Sequence, residues 1–168
     1  MALVLNTNSY VEIADADTYF ETRIDSAVWS DSTDDIKEQA LVTASQIVDD
    51  NAWIGSAVSS SQSLAWPRKN ATYNDSRMGI TISFGSTEIP AMVKTAVYEQ
   101  ALHLVNNEDL LTGGTQTFES ISVGSISLSD SNGDVTRTPM KNVLVLKAIK
   151  PLVVRGSSGM GGSWWRAN

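Results

Sequence analysis

An amphipathic pattern between residues 33 and 50 constrains the fold most strongly. Its apolar residues recur at the helical period over about 17 residues. Asp34 and Asp35 stand where acidic side chains favour the positive end of a helix, and Ser32 or Thr33 can cap the first turn. We therefore expect a long helix with one face in the core. The apolar positions are Ile36, Ala40, Leu41, Ala44, Ile47 and Val48.

Two tryptophans follow this helix, Trp53 in Trp-Ile-Gly and Trp66 in Leu-Ala-Trp-Pro-Arg. Large aromatic side chains dominate the packing of small cores. We interpret both indoles as a lid over the apolar stripe of the helix.

Three more helices are expected from periodicity and capping residues. The first covers about residues 15–25, and the third begins at Pro90, which suits the first helical position. The last covers about residues 140–154. Because Pro151 removes a backbone donor there, we expect a kink or an end near Lys150.

Alternating apolar and polar residues indicate strands elsewhere. Residues 79–85 could form a short strand, and residues 1–9 an extended arm or edge strand. A β-hairpin is expected over about residues 118–138, with a bulge or bend at Gly124-Ser125 and its turn at Asn132-Gly133.

These patterns predict a mainly α fold, a four-helix bundle with a β-hairpin extension and extended N- and C-terminal arms. A single helical domain would cover residues 1–155, and a flexible Gly/Ser-rich arm residues 156–168. The chain has 168 residues and no cysteine, which excludes disulfides, thiol catalysis and cysteine-based zinc sites. We see neither a signal peptide nor a membrane span.

Charge is distributed unevenly along the chain. Residues 1–50 contain eleven acidic and two basic residues, whereas residues 135–168 contain six basic and no acidic residues. The asymmetry has two interpretations: an ordinary solvated surface, or opposite faces that meet head to tail between subunits. The predicted basic C-terminal face consists of Lys141, Lys147, Lys150 and Arg155.

The sequence Trp164-Trp165-Arg166 follows a Gly/Ser tether that offers no apolar surface of its own. The two indoles must therefore fold back on the domain or dock on another chain. Trp and Arg carry much of the binding energy at interfaces, so we treat Trp164, Trp165 and Arg166 as a partner-docking arm.

Catalytic motifs were sought and not found. The single histidine, His103, lies inside the third predicted helix, and the chain contains neither a nucleophile elbow nor a Gly-rich phosphate loop. We therefore expect no enzymatic activity, no cofactor and no metal site.

Binding of single-stranded DNA requires a basic groove with aromatic side chains on which bases can stack. A small basic and aromatic group is present, but the acidic first fifty residues would repel phosphate. This balance weighs against DNA binding as the main function. The group consists of Trp66, Arg68, Lys69, Tyr73 and Arg77.

The order of these motifs resembles the head-tail connector, or adaptor, proteins of tailed bacteriophages, many of which carry the label "putative DnaT-like single-stranded-DNA-binding protein". The resemblance covers roughly residues 9–155. The residues that carry it are Trp53, Gly55, Trp66, Pro67, Arg68, Ile89 and Pro90.

The resemblance implies a structural virion protein that forms a ring, usually a dodecamer, between the portal protein and a tail-side stopper or tail protein. It would be assembled in the host cytoplasm, with DNA only as passing cargo and no membrane partner. The C-terminal arm would reach the portal or a neighbouring subunit. Two alternatives stay open: a single-stranded-DNA-binding replication protein, and a stopper or tail-completion ring protein.

Overall fold

The computed structural model describes residues 2–75, 77–107 and 141–154, and the backbone of residues 120–123 and 126–129. Within these residues the chain forms five helices and three two-stranded antiparallel sheets. The helices are α1 (Ile13–Glu21), α2 (Ala27–Ser30), α3 (Asp34–Asp49), α4 (Ala91–Asn106) and α5 (Val143–Ile149). The strands are β1 (Ser56–Ala57), β2 (Arg68–Lys69), β3 (Thr72–Asp75), β4 (Ile80–Ser83), β5 (Ser120–Val123) and β6 (Ile126–Ser129).

Helix α3 confirms the helix predicted from the amphipathic stripe. The Thr33 side chain accepts a hydrogen bond from the Ile36 amide and caps the first turn. Four residues of the stripe are buried, but Ile36 is 43% exposed, so the stripe is uncovered at its first turn. The buried four are Ala40, Leu41, Ala44 and Val48.

Helix α4 is the centre of the core. It packs against α3 and against α5, and apolar residues therefore cover more than one of its faces. Pro90 marks the start of the helix, as predicted, and the helix ends at Asn106. Val93, Ala96, Val97 and Ala101 have no exposed surface.

Helices α1 and α2 close one side of this core with aromatic rings. The Phe20 ring lies 4.8 Å from the Trp29 ring and 6.5 Å from the Tyr98 ring, centroid to centroid. Such contacts add about 1 kcal/mol each to the stability that area burial provides.

The predicted four-helix bundle is wrong, because the structure is a mixed α/β fold. Helices α2 and α5 have only four and seven residues, too few to span a bundle. The connection between α3 and α4 forms the sheets β1–β2 and β3–β4. Strands pair through residues that are not neighbours in sequence, and the helical period of apolar residues does not predict such pairing.

The predicted N-terminal arm is also corrected. The Val4 carbonyl accepts hydrogen bonds from the amides of Thr7 and Asn8, at 3.1 and 3.0 Å. The Asn8 side chain in turn accepts one from the Val4 amide at 2.7 Å. These bonds form a compact turn that leads into the buried residues Ser9 and Tyr10.

Strands β5 and β6 lie within the predicted hairpin, but their register differs from the expectation. Val123 pairs with Ile126 and Ile121 with Leu128, so the described strands β5 and β6 pair with each other, on either side of residues 124–125, which lie outside the described residues. The pairing of residue 123 with residue 126 accounts for the change of parity that we interpreted as a bulge or bend. Asn132-Gly133 lies outside the described residues.

Helix α5 is shorter than predicted and ends before Lys150, near the expected position. Among the described residues, no helix has the length and apolar character needed to cross a membrane.

Candidate nucleic-acid interface

A row of four aromatic rings connects the core to the β3–β4 hairpin. The Trp53 and Trp66 rings meet edge to face at 5.8 Å, and the Trp66 and Phe84 rings do the same at 5.8 Å. The Phe84 ring stacks on the Tyr73 ring at 5.7 Å with an angle of 14° between the planes. Trp53 and Trp66 are buried, as predicted, whereas Tyr73 and Phe84 are half-buried. This row of rings attaches the β3–β4 hairpin to the core. The Tyr73 ring, at the outer end of the row, is partly accessible.

Arg68 holds together the two turns that carry the tryptophans. Its guanidinium donates hydrogen bonds to the carbonyls of Ile54, Gly55 and Ala65 at 2.7, 3.0 and 3.2 Å. A planar fork of donors suits this bridge, and Arg68 is therefore a structural residue. The Trp66–Pro67 peptide bond between these turns is cis.

Gly55 lets the strands β1 and β2 approach closely. Its φ is +71°, and a Cβ at this position would lie 2.6 Å from the Lys69 carbonyl oxygen and 2.9 Å from the Ala71 amide nitrogen. A side chain would therefore collide with the backbone of β2, so the close approach requires glycine at position 55.

The two basic residues among residues 1–50 are neutralised inside the protein. Lys37 is buried, and its ammonium lies 3.0 Å from Asp17 Oδ1. Arg23 forms ion pairs with Asp25 and with the buried Glu99. The hydrogen bond to Asp25 and the nearby Glu99 carboxylate raise the pKa of Arg23 above its usual value. Residues 1–50 thus have no unpaired cation that could bind a phosphate.

Residues 51–87 have the opposite balance, with three basic residues and one acidic residue. The Arg77 guanidinium is 87% exposed and lies 3.6 Å from the Asp75 carboxylate. The backbone amide of Arg77 donates to Asp75 at 2.8 Å, which lowers the pKa of that carboxyl group. Lys69 is exposed at the end of β2.

The segment that follows α5 joins this basic region directly. The Ile54 amide donates to the Leu152 carbonyl at 2.9 Å, and the Val154 amide donates to the Ala52 carbonyl at 2.7 Å. Trp53 pairs with Val153. Ser56, three residues further along the chain, pairs with Lys69. At most about 10 Å of chain therefore separates the two pairings.

We define the basic surface as Lys69, Arg77, Lys147 and Lys150, four exposed cations on these two adjoining segments. Residues 141–154 contain three lysines and no acidic residue. Lys141 is excluded from the surface because its ammonium is bound to the Asp50 carbonyl at 3.3 Å and to Asn51 Oδ1 at 3.2 Å.

The structure brings together some of the residues singled out in the sequence and separates others. Trp53, Gly55, Trp66, Pro67 and Arg68 meet in one set of turns, where each has a structural role. Ile89 and Pro90 lie apart from them, at the start of α4. Arg155 and the arm Trp164-Trp165-Arg166 are outside the described residues, so their predicted roles stay predictions.

Sequence reasoning missed the two residues that position this region. The buried hydroxyl of Tyr10 donates to Asp49 and accepts a hydrogen bond from the Trp66 amide at 3.1 Å. Asp49 Oδ1 also accepts from the Ala65 amide at 2.8 Å. The contacts span up to 56 positions in sequence, and no local pattern marks them. Phe84 was recognised only as part of a short strand, although its alternation with Ile80 and Ile82 was a usable signal.

The described residues contain no group of three or more histidine, cysteine or acidic side chains that could hold a metal ion. His103 is a half-buried residue in the last turn of α4, next to Asn107.

The chain belongs to the family described as "Putative DnaT-like ssDNA binding protein", whose sequence model matches residues 2–166. No curated protein and no solved structure matches the chain significantly. The family description names single-stranded DNA binding.

The expectation of a structural virion protein, with its portal and head-tail connector terms, is corrected by this match. The description refers to no virion component, and it favours the alternative that we gave beside it, a single-stranded-DNA-binding protein.

Proposed function

We propose that this protein binds single-stranded DNA through the basic surface. The observation that carries the proposal is the separation of charge. The exposed cations of the described residues all lie on residues 51–87 and 141–154, whereas the two cations of residues 1–50 are paired with carboxylates. The family description supports the same function.

The acidic residues of the segment 1–50 limit where a DNA strand can bind. A phosphate backbone approaching α1–α3 meets the eleven acidic residues of residues 1–50, whose two cations are already paired. A phosphate backbone that approaches the basic surface meets a single carboxylate on residues 51–87 and 141–154, that of Asp75. The Asp75 side chain is only 9% exposed. The interface is therefore one-sided and short.

Tyr73 supplies the aromatic contact in this proposal. One nucleobase would stack against the accessible part of its ring, which Phe84 supports from the other side at 5.7 Å. Stacking of this kind contributes about 1–3 kcal/mol per base and does not depend on base identity. The protein would then bind strands with little sequence preference.

Fluorescence anisotropy with a labelled oligothymidylate tests the proposal. With four cations engaged, the logarithm of the association constant should fall with the logarithm of salt concentration with a slope of about −3. The double variant Lys147→Gln/Lys150→Gln should reduce the steepness of that slope by about 1.4. The Tyr73→Leu variant should weaken binding about tenfold with an unchanged slope, whereas Tyr73→Phe should bind like the wild type.

Lys94→Gln is the matched control, because it removes one positive charge from α4, outside the basic surface. It should leave affinity and slope unchanged. The proposal is overturned if the wild type shows no salt-dependent binding at about 100 μM protein in low salt, where non-specific binding is normally detectable. It is also overturned if Lys94→Gln reduces binding as much as the changes in the basic surface.

A further inference from the structure

A groove of about 260 Å³ lies between the N-terminal half of α3 and the C-terminal end of α4. Ile36, Ala40 and Thr43 line it from α3, and Leu104 and Val105 from α4. The groove coincides with the first turn of the apolar stripe, where Ile36 is 43% exposed. It is thus the place where the main apolar face of the fold lacks a cover among the described residues.

Polar side chains also line the groove. Helix α4 ends at Asn106, where the Asn107 amide and side chain cap the carbonyls of Leu104 and His103 at 3.1 and 2.8 Å. On the α3 side, Asp35 stands one turn before Gln39, which also lines the groove. The groove therefore combines an apolar floor with two amide side chains, Gln39 and Asn107, in its lining.

We propose that the segment Trp164-Trp165-Arg166 of the same chain occupies this groove. Its two indoles need apolar cover that the Gly/Ser tether cannot supply, and its arginine can donate hydrogen bonds to the amide oxygens of Gln39 and Asn107 in the lining. The inference concerns a self-contact on a surface other than the basic surface, so it stands independently of the proposed function.

The reach of the tether matches the position of the groove. The described chain ends at Val154, which is hydrogen-bonded to Ala52, three residues after the end of α3. Ala40 lies ten residues before Asp50, which is about 15 Å along the helix. Nine residues, 155–163, separate Val154 from Trp164, and Gly/Ser-rich linkers of this length have a root-mean-square span of about 16 Å.

This agreement favours the groove of the same molecule over that of a second copy. A tether whose average span equals the required distance produces a local concentration in the millimolar range. A second copy at micromolar concentration competes poorly with it.

Disulfide crosslinking tests the contact directly, because the natural chain has no cysteine to interfere. The variant Gln39→Cys/Ala167→Cys places one thiol at the groove and one beside the arm. It should form an intramolecular disulfide about tenfold faster than Leu144→Cys/Ala167→Cys, whose first thiol lies on the exposed face of α5. Adding Trp164→Ser/Trp165→Ser to the groove variant should abolish this advantage.

Three outcomes overturn the proposal: equal rates for the groove and α5 variants, a faster α5 variant, or crosslinked dimers whose formation depends on protein concentration. The last would assign the groove to the arm of a second copy. Non-reducing electrophoresis with intact-mass measurement distinguishes all three.

Tryptophan quenching provides a second readout in the full chain. Ile36→Asp should increase acrylamide quenching and shift the emission to the red, because the displaced indoles become solvated. Ile24→Asp is the matched control, since Ile24 is fully exposed elsewhere on the surface. Identical quenching of the two variants would contradict the docking, and circular dichroism would verify that both are folded.

Discussion

The Tyr10 hydroxyl donates a hydrogen bond to the Asp49 carboxylate and so joins the N-terminal turn to the end of α3. Burial, and then this carboxylate, raise the pKa of Tyr10 well above its usual value. The same hydroxyl accepts from the Trp66 amide, and Asp49 accepts from the Ala65 amide. The position of the aromatic row therefore depends on a pair of residues outside it.

Removal of the Tyr10 hydroxyl should destabilise the protein. Tyr10→Phe keeps the ring but leaves the Trp66 amide and one bond of Asp49 without a partner, which should lower the free energy of unfolding by about 2 kcal/mol. Urea denaturation followed by circular dichroism measures the change. Tyr73→Phe, which removes a hydroxyl from a half-buried ring, should change stability by less than about 0.5 kcal/mol. Equal effects of the two substitutions would show that the network around Tyr10 contributes nothing specific.

Two glycines with similar backbone angles should respond differently to alanine. Gly55 and Gly79 have φ values of +71° and +67°, but a Cβ on Gly55 collides with β2, whereas one on Gly79 meets nothing within 4 Å. Gly79→Ala should cost about 1 kcal/mol of unfolding free energy from backbone strain alone. Gly55→Ala should cost about 3 kcal/mol or more because overpacking adds to the strain. Thermal or urea unfolding of both variants measures the two losses of unfolding free energy. Equal losses would show that the collision at Gly55 does not contribute.

The positive charge of Arg68 and the geometry of its hydrogen bonds can be tested separately. Arg68→Lys keeps the positive charge but cannot bridge the carbonyls of Ile54, Gly55 and Ala65, so the free energy of unfolding should fall by about 2 kcal/mol. Affinity of the folded variant for the oligothymidylate should stay within about twofold of the wild type, because Arg68 is not part of the basic surface. A large loss of affinity with unchanged stability would mean that Arg68 contacts DNA.

Alkaline pH should weaken the contact between α1 and α4. Burial and the hydrogen bond to Glu99 raise the pKa of Tyr19 from 10.0 to about 12. The protonated hydroxyl is therefore favoured in the folded state: its stabilisation is complete below about pH 10 and is lost as pH rises through about 12. Tyr98 has a raised pKa of about 12 as well, mainly through burial.

Urea titrations at about pH 9 and about pH 11.5 would measure this loss. Tyr19→Phe should show a smaller decrease between the two values than the wild type, and Glu99→Gln should move the decrease to lower pH. An equal decrease in wild type and Tyr19→Phe would exclude Tyr19 as a source.

Local sequence signals were sufficient for the main helices. The period of apolar residues predicted α3, Pro90 marked the start of α4, and Pro151 indicated the end of α5 near Lys150. The same reasoning predicted that Trp53 and Trp66 are buried. These features depend on residues within a few turns of one another, where spacing alone decides which side chains share a face.

Part of the candidate site was also visible in the sequence. Lys69, Tyr73 and Arg77 were grouped by type and proximity, and they do lie on β2 and on the β3–β4 hairpin. The same grouping included Trp66 and Arg68, which the structure assigns to packing and to carbonyl binding. Residue type suggested a nucleic-acid contact, but burial decided which side chains are accessible.

By itself, the sequence determined the long helices, the buried tryptophans and the uneven distribution of charge. Only the tertiary structure decided that the fold is mixed α/β, that Tyr10 and Asp49 position the Trp66 turn, and that residues 152–154 adjoin residues 52–54. The reason is physical: helical period and charge are local properties of the chain. Strand register and buried hydrogen bonds instead join residues tens of positions apart, and their geometry exists only after the core has formed.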